Sequence, residues 1–303
     1  MKYVFNAILV IVVIIVIRMA ACNNKQQTTN NVTAPVSQTE NFSGARILKT
    51  CKNYFNNPES VTFDKDNEVI YISNTEDSVT DNESTGYICK ASLYGEIIDT
   101  LKITNLVSPK GMAVKDGILY ISDVNKIIKY NTEKEWVEKC YDIPEAQSLK
   151  DIEISNSGIV YISDSKADKV YKIEADSVNI FCADSLCKNI KALCLDNDEL
   201  IGGAQNQIIK FKDSGKAITI AKLKFTPEAL KSDGRGNYLI SDIYGGIYAV
   251  GKDTTEMLVE KHKKINCGDF EYNTEQNLLF LPTITDNSLE IYELGKYLIP
   301  KEN

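Results

Sequence analysis

Five charged side chains occupy matching positions in a repeated sequence pattern and could do chemistry together. Each is the second residue of a segment that recurs at intervals of about 40 residues. Carboxylates could hold a metal ion, and ammonium groups could bind an anion or pair with the carboxylates. If folding brings these positions to one place, a ligand-binding site is expected there. They are Glu59, Lys110, Lys150, Lys191 and Glu228, with Cys267 at the sixth position.

Other reactive residues fit structural roles better. The single histidine, His262, lies five residues before Cys267, but nothing in the pattern would orient a nucleophile pair. Carboxylates end similar segments at Asp123, Asp164 and Asp242. Such residues commonly bond to nearby backbone groups and set turns. We therefore interpret these three as turn residues rather than as a carboxylate ring.

The repeats predict the elements that hold the six positions. Each copy has an inner strand, a turn rich in Asp, Asn and Gly, and a second strand such as VIYIS, ILYIS, IVYIS or YLIS. A period near 40 residues with three or four short strands is typical of a β-propeller blade, and one blade cannot bury its own faces. We predict an all-β, six-bladed propeller over residues 44–303, with four-stranded antiparallel blades. The six positions would then lie at the mouth of its central channel.

Closing the ring needs a strand from outside the six copies. The segment ARILKTC, Ala45 to Cys51, precedes the first copy. We predict that it forms the outermost strand of the sixth blade, beside SLEIYEL, because this would remove open sheet edges. The segment KYLIP, residues 296–300, is the competing candidate.

The N-terminal region is similar to an exported lipoprotein leader. Residues 4–17 form an apolar run that is short for a membrane span. Small residues directly before Cys22 resemble the bacterial lipobox, although Arg18 departs from that pattern. We predict a signal peptide over residues 1–21, a lipidated Cys22, and a disordered polar tether over residues 22–43. An uncleaved membrane anchor is the alternative.

Composition bears on partners and on cysteine chemistry. The net charge is −8, whereas phosphate binding needs a concentrated basic face, so we expect no nucleic-acid partner. The eight cysteines match no zinc-binding spacing. Cys182 and Cys187 are the close pair that could form a loop disulfide.

The repeats resemble two groups of six-bladed propellers. ILYISDVNKIIKYN and IVYISDSKADKVYKIE are similar to NHL-type repeats. The order from PESVTFD through PEALKSDGRGN to CGDFEYNTEQNLLFLPT resembles the gluconolactonase/regucalcin family over residues 58–294. The second resemblance implies a divalent metal, typically calcium, that activates a lactone carbonyl at the channel mouth.

The ligands implied by this resemblance are only partly present. Glu59 keeps the first ligand and Glu228 stands where the family has Asp, but the two Asn positions fall on Lys191 and Lys150. An ammonium cannot coordinate a cation and repels it. Lysines at these positions can instead replace the metal by pairing with the two glutamates. We therefore favour a site without a cofactor.

Two functions remain in view. The first is a non-catalytic propeller of the bacterial cell envelope, lipid-anchored to the outer membrane or cell surface. It would bind a small anion or an envelope protein at the channel mouth. The alternative is a calcium-dependent lactonase or esterase, in which Glu59 and Glu228 hold the metal and Asp151 and Glu228 are the candidate catalytic residues.

Overall fold

The chain folds into six four-stranded antiparallel sheets that pack radially on one another. The structure is a computed structural model, and it describes residues 44–76, 85–101, 103, 105–252, 254–260 and 266–295. Within these ranges there are 24 strands and one short 3-10 helix. The predicted all-β, six-bladed propeller is confirmed.

The first three blades follow one another along the chain. Strand β1 (Ala45–Lys52) precedes them. Blade one contains β2 (Pro58–Asp64), β3 (Val69–Glu76), β4 (Thr85–Ser92) and β5 (Ile97–Thr100). Blade two contains β6 (Pro109–Lys115), β7 (Ile118–Asp123), β8 (Lys126–Asn131) and β9 (Trp136–Asp142). Blade three contains β10 (Leu149–Ile154), β11 (Val160–Asp164), β12 (Lys169–Glu174) and β13 (Ser177–Cys182).

The remaining blades repeat this order, apart from the last. The 3-10 helix (Ser185–Cys187) leads into blade four. Blade four contains β14 (Ala192–Asp196), β15 (Glu199–Ala204), β16 (Gln207–Phe211) and β17 (Ala217–Lys222). Blade five contains β18 (Ala229–Ser232), β19 (Tyr238–Ser241), β20 (Ile247–Val250) and β21 (Thr255–Val259). Blade six contains β22 (Glu271–Asn273), β23 (Leu278–Thr283) and β24 (Ser288–Leu294), with β1 as its fourth strand.

The second strand of each blade is buried because neighbouring blades cover its two faces. In blade one, Tyr71 is 1% exposed and packs with Ile88 against Met112, Leu119 and Ile121 of blade two. A fully buried side chain of this kind stabilises a fold by about 1.5–3 kcal/mol. The apolar runs VIYIS and ILYIS are therefore the surfaces that join blades.

Strand β1 closes the ring as the sequence predicted. It pairs antiparallel with β24, from Ala45 opposite Leu294 to Lys52 opposite Ser288. The outer edge of the last blade is thus formed by the start of the propeller, which ties its two ends together. The competing segment, residues 296–300, lies outside the described residues.

The turn interpretation of the strand-ending carboxylates is also confirmed. Asp164 accepts backbone hydrogen bonds from Gln147 at 2.8 Å and from Ser148 at 3.0 Å. Asp123 accepts one from Ser108 at 2.6 Å. These carboxylates fix the loop that leads into the blade, and their oxygens already accept backbone hydrogen bonds.

The predicted cysteine pair is close but not bonded. Cys182 Sγ and Cys187 Sγ lie 3.1 Å apart as hydrogen-bonded thiols, so the loop disulfide is not formed here. The predicted signal peptide, Cys22, the tether and His262 fall outside the described residues. In the part of the chain that the structure describes, no helix has the length and apolar character of a membrane span.

Candidate functional site

The inner strands converge on a cavity of about 230 Å³ at one end of the channel. Ligand pockets for drug-sized molecules usually measure about 300–1,000 Å³, so this cavity suits a smaller molecule. Its lining includes all six repeat positions, Glu59, Lys110, Lys150, Lys191, Glu228 and Cys267, together with Asp151. The structure therefore brings together every residue that the sequence placed at the channel mouth.

Two of the three lysines are held by the two glutamates. Lys110 Nζ lies 2.9 Å from Glu59 Oε1, and Lys191 forms an ion pair with Glu228. Each pair joins two neighbouring blades. Among the described residues, Lys150 has no carboxylate within ion-pairing distance. Glu59 thus pairs with Lys110, and the lysine of blade three is left over.

The surroundings of Lys150 oppose its charged form. Burial lowers the pKa of its amine, and the nearby ammonium of Lys110 lowers it further. The carboxylates of Glu59 and Glu228 act in the opposite direction but do not offset these effects. Lys150 therefore carries more uncharged amine near neutral pH than an exposed lysine does.

A buried serine on one blade fixes the mouth lysine on the next. The serine is the last residue of the motifs VIYIS, ILYIS and IVYIS, and its hydroxyl donates to the carbonyl of that lysine. The bonds are Ser73 Oγ to Lys110 O at 2.7 Å, Ser122 Oγ to Lys150 O at 2.7 Å, and Ser163 Oγ to Lys191 O at 3.0 Å. Because these serines are fully buried, the three lysine backbones are held rigidly relative to one another.

Two glycines allow the inner strands to approach closely. A Cβ on Gly111 would lie 2.2 Å from the carbonyl oxygen of Lys150, and one on Gly268 would lie 2.1 Å from that of Glu59. Both contacts are with backbone, which cannot move aside as a flexible side chain could. Larger residues would therefore separate the blades at the mouth.

A pair of carboxyl groups lies at the floor of the cavity. Asp151 accepts backbone hydrogen bonds from Ile152 and Leu193, both at 2.7 Å, and its side chain is within hydrogen-bonding reach of Asp269. Burial raises the pKa of both groups, and that of Asp269 rises well above its usual range. Since Asp151 receives two N–H donors, we infer that it keeps the negative charge and that Asp269 holds a proton directed at it. Such a proton would give a partner to Asp269 Oδ1, which is buried and has none among the described residues.

A lysine beneath this pair balances the acidic channel. Lys231 is 9% exposed, and its Nζ lies 3.3 Å from Glu153 Oε1. Burial disfavours its ammonium, but the carboxyl groups of Asp269, Glu271, Glu153 and Asp151 together raise the pKa of Lys231 well above the usual value. The channel is thus lined by charged groups that compensate one another.

The sequence analysis did not predict Asp269 or Lys231. A signal was present in the inner strands, where Asp151 and Glu153, and likewise Asp269 and Glu271, are two residues apart. Residues at this spacing point to the same side of a strand. Two acidic pairs on two inner strands could therefore have indicated a charged channel interior.

The residues at the mouth do not fit a calcium ion. Both glutamates that could serve as ligands are bound by ammonium groups, and Lys150 adds a third positive charge to the cavity. Among the described residues, no group of three or more acidic, histidine or cysteine side chains is arranged as a metal site.

The fold and the cavity define a six-bladed β-propeller with a charged channel mouth. No protein-family model matches the sequence, and no curated protein matches it. The chain is similar to virginiamycin B lyase from Staphylococcus aureus, solved as a catalytically inactive histidine-to-alanine variant with quinupristin. The two chains share 12% identity and a TM-score of 0.58, over 82% of this chain and 99% of the lyase.

A second solved structure has the same degree of likeness. The WD40 domain of Pan2 from Neurospora crassa shares 10% identity with this chain at a TM-score of 0.58. The match covers 87% of this chain and 99% of that domain. One of these two proteins is an enzyme and the other is a WD40 domain. The similarity therefore shows the propeller fold, and the function has to be inferred from the residues of the site.

Proposed function

We propose that this propeller binds a small anion at its channel mouth, with the ammonium form of Lys150 as the central contact. The observation that carries the proposal is the unequal pairing of the three lysines. Lys110 and Lys191 are held by glutamates, whereas Lys150 lines the cavity without a carboxylate partner among the described residues. An anion would supply that partner and relieve the repulsion between the lysines.

The floor of the cavity supports the same proposal. Two carboxylates there would repel an anion, but the proton between Asp151 and Asp269 removes one negative charge. The ammonium of Lys231 beneath them offsets the other. The mouth therefore offers the ammonium group of Lys150 to a small anion, above a floor whose negative charge is reduced.

We further infer that the propeller is a lipoprotein of the bacterial cell envelope. The lipobox-like residues before Cys22 support this, as does the polar segment over residues 22–43. Binding of an envelope protein at the mouth stays a prediction, and the poor fit to calcium argues against the lactonase alternative.

Isothermal titration calorimetry with acetate, lactate and sulfate tests the anion proposal. Replacing Lys150 with methionine removes a charged hydrogen-bond donor worth about 1.5–3 kcal/mol, so affinity should fall by about 10- to 140-fold. Lys166→Met, at an exposed position in blade three, serves as the matched control and should leave the affinity unchanged. Equal affinity in wild type and Lys150→Met would refute the proposal.

A second variant tests whether a second unpaired lysine increases the affinity for anions. Glu228→Gln releases the ammonium of Lys191 while keeping the size of the side chain. The affinity for each anion should then increase, because a second unpaired cation faces the cavity. A decrease would mean that Glu228 itself contacts the ligand, which contradicts the assigned role of the pair.

A further inference from the structure

The uncharged form of Lys150 has the setting of a nucleophile. Its amine lies in a cavity beside Lys110 and Lys191, and it has no carboxylate partner among the described residues. Burial and neighbouring cations are the two means by which proteins make a lysine amine reactive. Both lower the pKa of Lys150. Reaction of an amine with a carbonyl carbon is the chemistry that such a lysine performs.

The same cavity contains a proton donor and a proton acceptor. Asp151 and Asp269 share one proton, and both line the mouth with Lys150. Imine formation needs a proton delivered to the departing oxygen and another removed from nitrogen. A carboxylic acid beside a carboxylate can do both.

We propose that the mouth captures small aldehydes and ketones as an imine on Lys150. The Lys150 nitrogen forms a bond to the carbonyl carbon, and the oxygen takes up a proton to give a carbinolamine. Asp269 protonates that oxygen while Asp151 takes one proton from nitrogen. A second proton then reaches the oxygen from the same pair, the carbon–oxygen bond breaks to release water, and nitrogen gives its last proton back to the pair. The products are the imine and one water. Oxygen gains two protons and nitrogen loses two, so the pair ends as it began and no oxidant or reductant takes part.

The cavity restricts the carbonyl compounds that fit. Its volume of about 230 Å³ admits molecules of a few carbon atoms. Lys110 and Lys191 also line the cavity, and each ammonium group keeps N–H donors beyond the one given to its glutamate, so they can bind a substrate carboxylate. Pyruvate should therefore react better than acetone, which has similar size and no charge.

Reductive trapping tests the proposal on the full chain. The protein is incubated with pyruvate or acetone and sodium cyanoborohydride, and adducts are located by intact mass and peptide mapping. We expect one pyruvate adduct at Lys150, its loss in Lys150→Arg, and its retention in Lys166→Arg. Melting curves of the variants show that loss of the adduct is not loss of fold. Adducts spread over exposed lysines, or an unchanged adduct in Lys150→Arg, would overturn the proposal.

The pH dependence distinguishes this reaction from anion binding. Trapping should increase as pH rises through the lowered pKa of Lys150, whereas anion affinity should fall over the same range. Asp269→Asn removes the shared proton and should slow trapping and change its pH profile, while Lys150 remains the labelled residue. Anion binding without any Lys150 adduct would refute imine formation and leave the anion-binding function intact. An adduct without anion binding would refute only the proposed anion-binding function.

Discussion

Replacing Lys231 with methionine should destabilise the propeller strongly and in a pH-dependent way. The side chain is 9% exposed and its Nζ lies 3.3 Å from Glu153 Oε1. At that separation, an effective dielectric constant near 20 gives about 5 kcal/mol of attraction. Removing one partner of a buried ion pair usually costs about 3–5 kcal/mol. For a domain of this size, the melting temperature should fall by about 10 °C.

The sign of the pH dependence follows from the raised pKa values. Lys231 has a raised pKa in the folded state, so its contribution is fully present below its unfolded pKa and therefore at both pH 5 and pH 8. Burial raises the pKa of Glu153 to about 7, and those of Asp151, Asp269 and Glu271 are raised as well. For such carboxyl groups, the cost of ionisation is absent at low pH and grows as pH rises above about 4. Without Lys231 that cost increases, so the loss of stability should be larger at pH 8.

Urea unfolding at pH 5 and pH 8 measures this effect. Lys210→Met is a matched control, because Lys210 pairs with Glu199 at the surface with side chains 33% and 55% exposed. A pair of that kind contributes at most about 1 kcal/mol. Lys231→Arg keeps the charge and should recover part of the stability if the variant without charge fails to fold at pH 8. Equal destabilisation at the two pH values would refute the electrostatic explanation of the channel.

Three further predictions concern the mouth, the metal and the cysteines. Ser122→Ala leaves the carbonyl of Lys150 without its donor, so urea unfolding should show a loss of about 1–3 kcal/mol and calorimetry a weaker affinity for acetate. Calcium and EDTA should leave the melting temperature unchanged. A metal ion that binds the folded state and is present at 100 times its Kd would add about 2.7 kcal/mol to the free energy of unfolding. A rise of several degrees with calcium would therefore contradict the conclusion that the mouth does not fit this ion. The hydrogen bond from Cys187 lowers the pKa of Cys182 to about 7, which makes its thiol reactive. Mild oxidation should therefore join the two cysteines in a disulfide, seen as the loss of two hydrogens in the mass. The free energy of unfolding should increase by about 2 kcal/mol. The same mass change in Cys182→Ser would show that other cysteines react.

The blades and the position of the channel mouth follow from the repeat in the sequence. A blade has two apolar faces that only other blades can cover, so a repeat of about 40 residues implies a ring. In a ring of equivalent units, one repeat position always falls at the same end of the channel. For this reason Glu59 and Lys150 were predicted to lie together. The last blade needed a fourth strand to cover its open edge, and the segment before the first repeat, β1, was predicted to supply it.

The pairing of the charges at the mouth depends on distances between blades, which the repeat does not give. The mouth has two glutamates and three lysines, so one lysine has no glutamate to pair with. The distances between neighbouring blades make Lys150 the lysine without a partner. The role of Ser122, which holds the next blade, depends on an approach between strands that are distant in sequence. The proton inferred between Asp151 and Asp269 likewise requires a side chain of blade three to meet one from the segment that enters blade six, in a buried place. Spacing within a repeat defines which positions share a face, but distances between blades set the pairing and the pKa values.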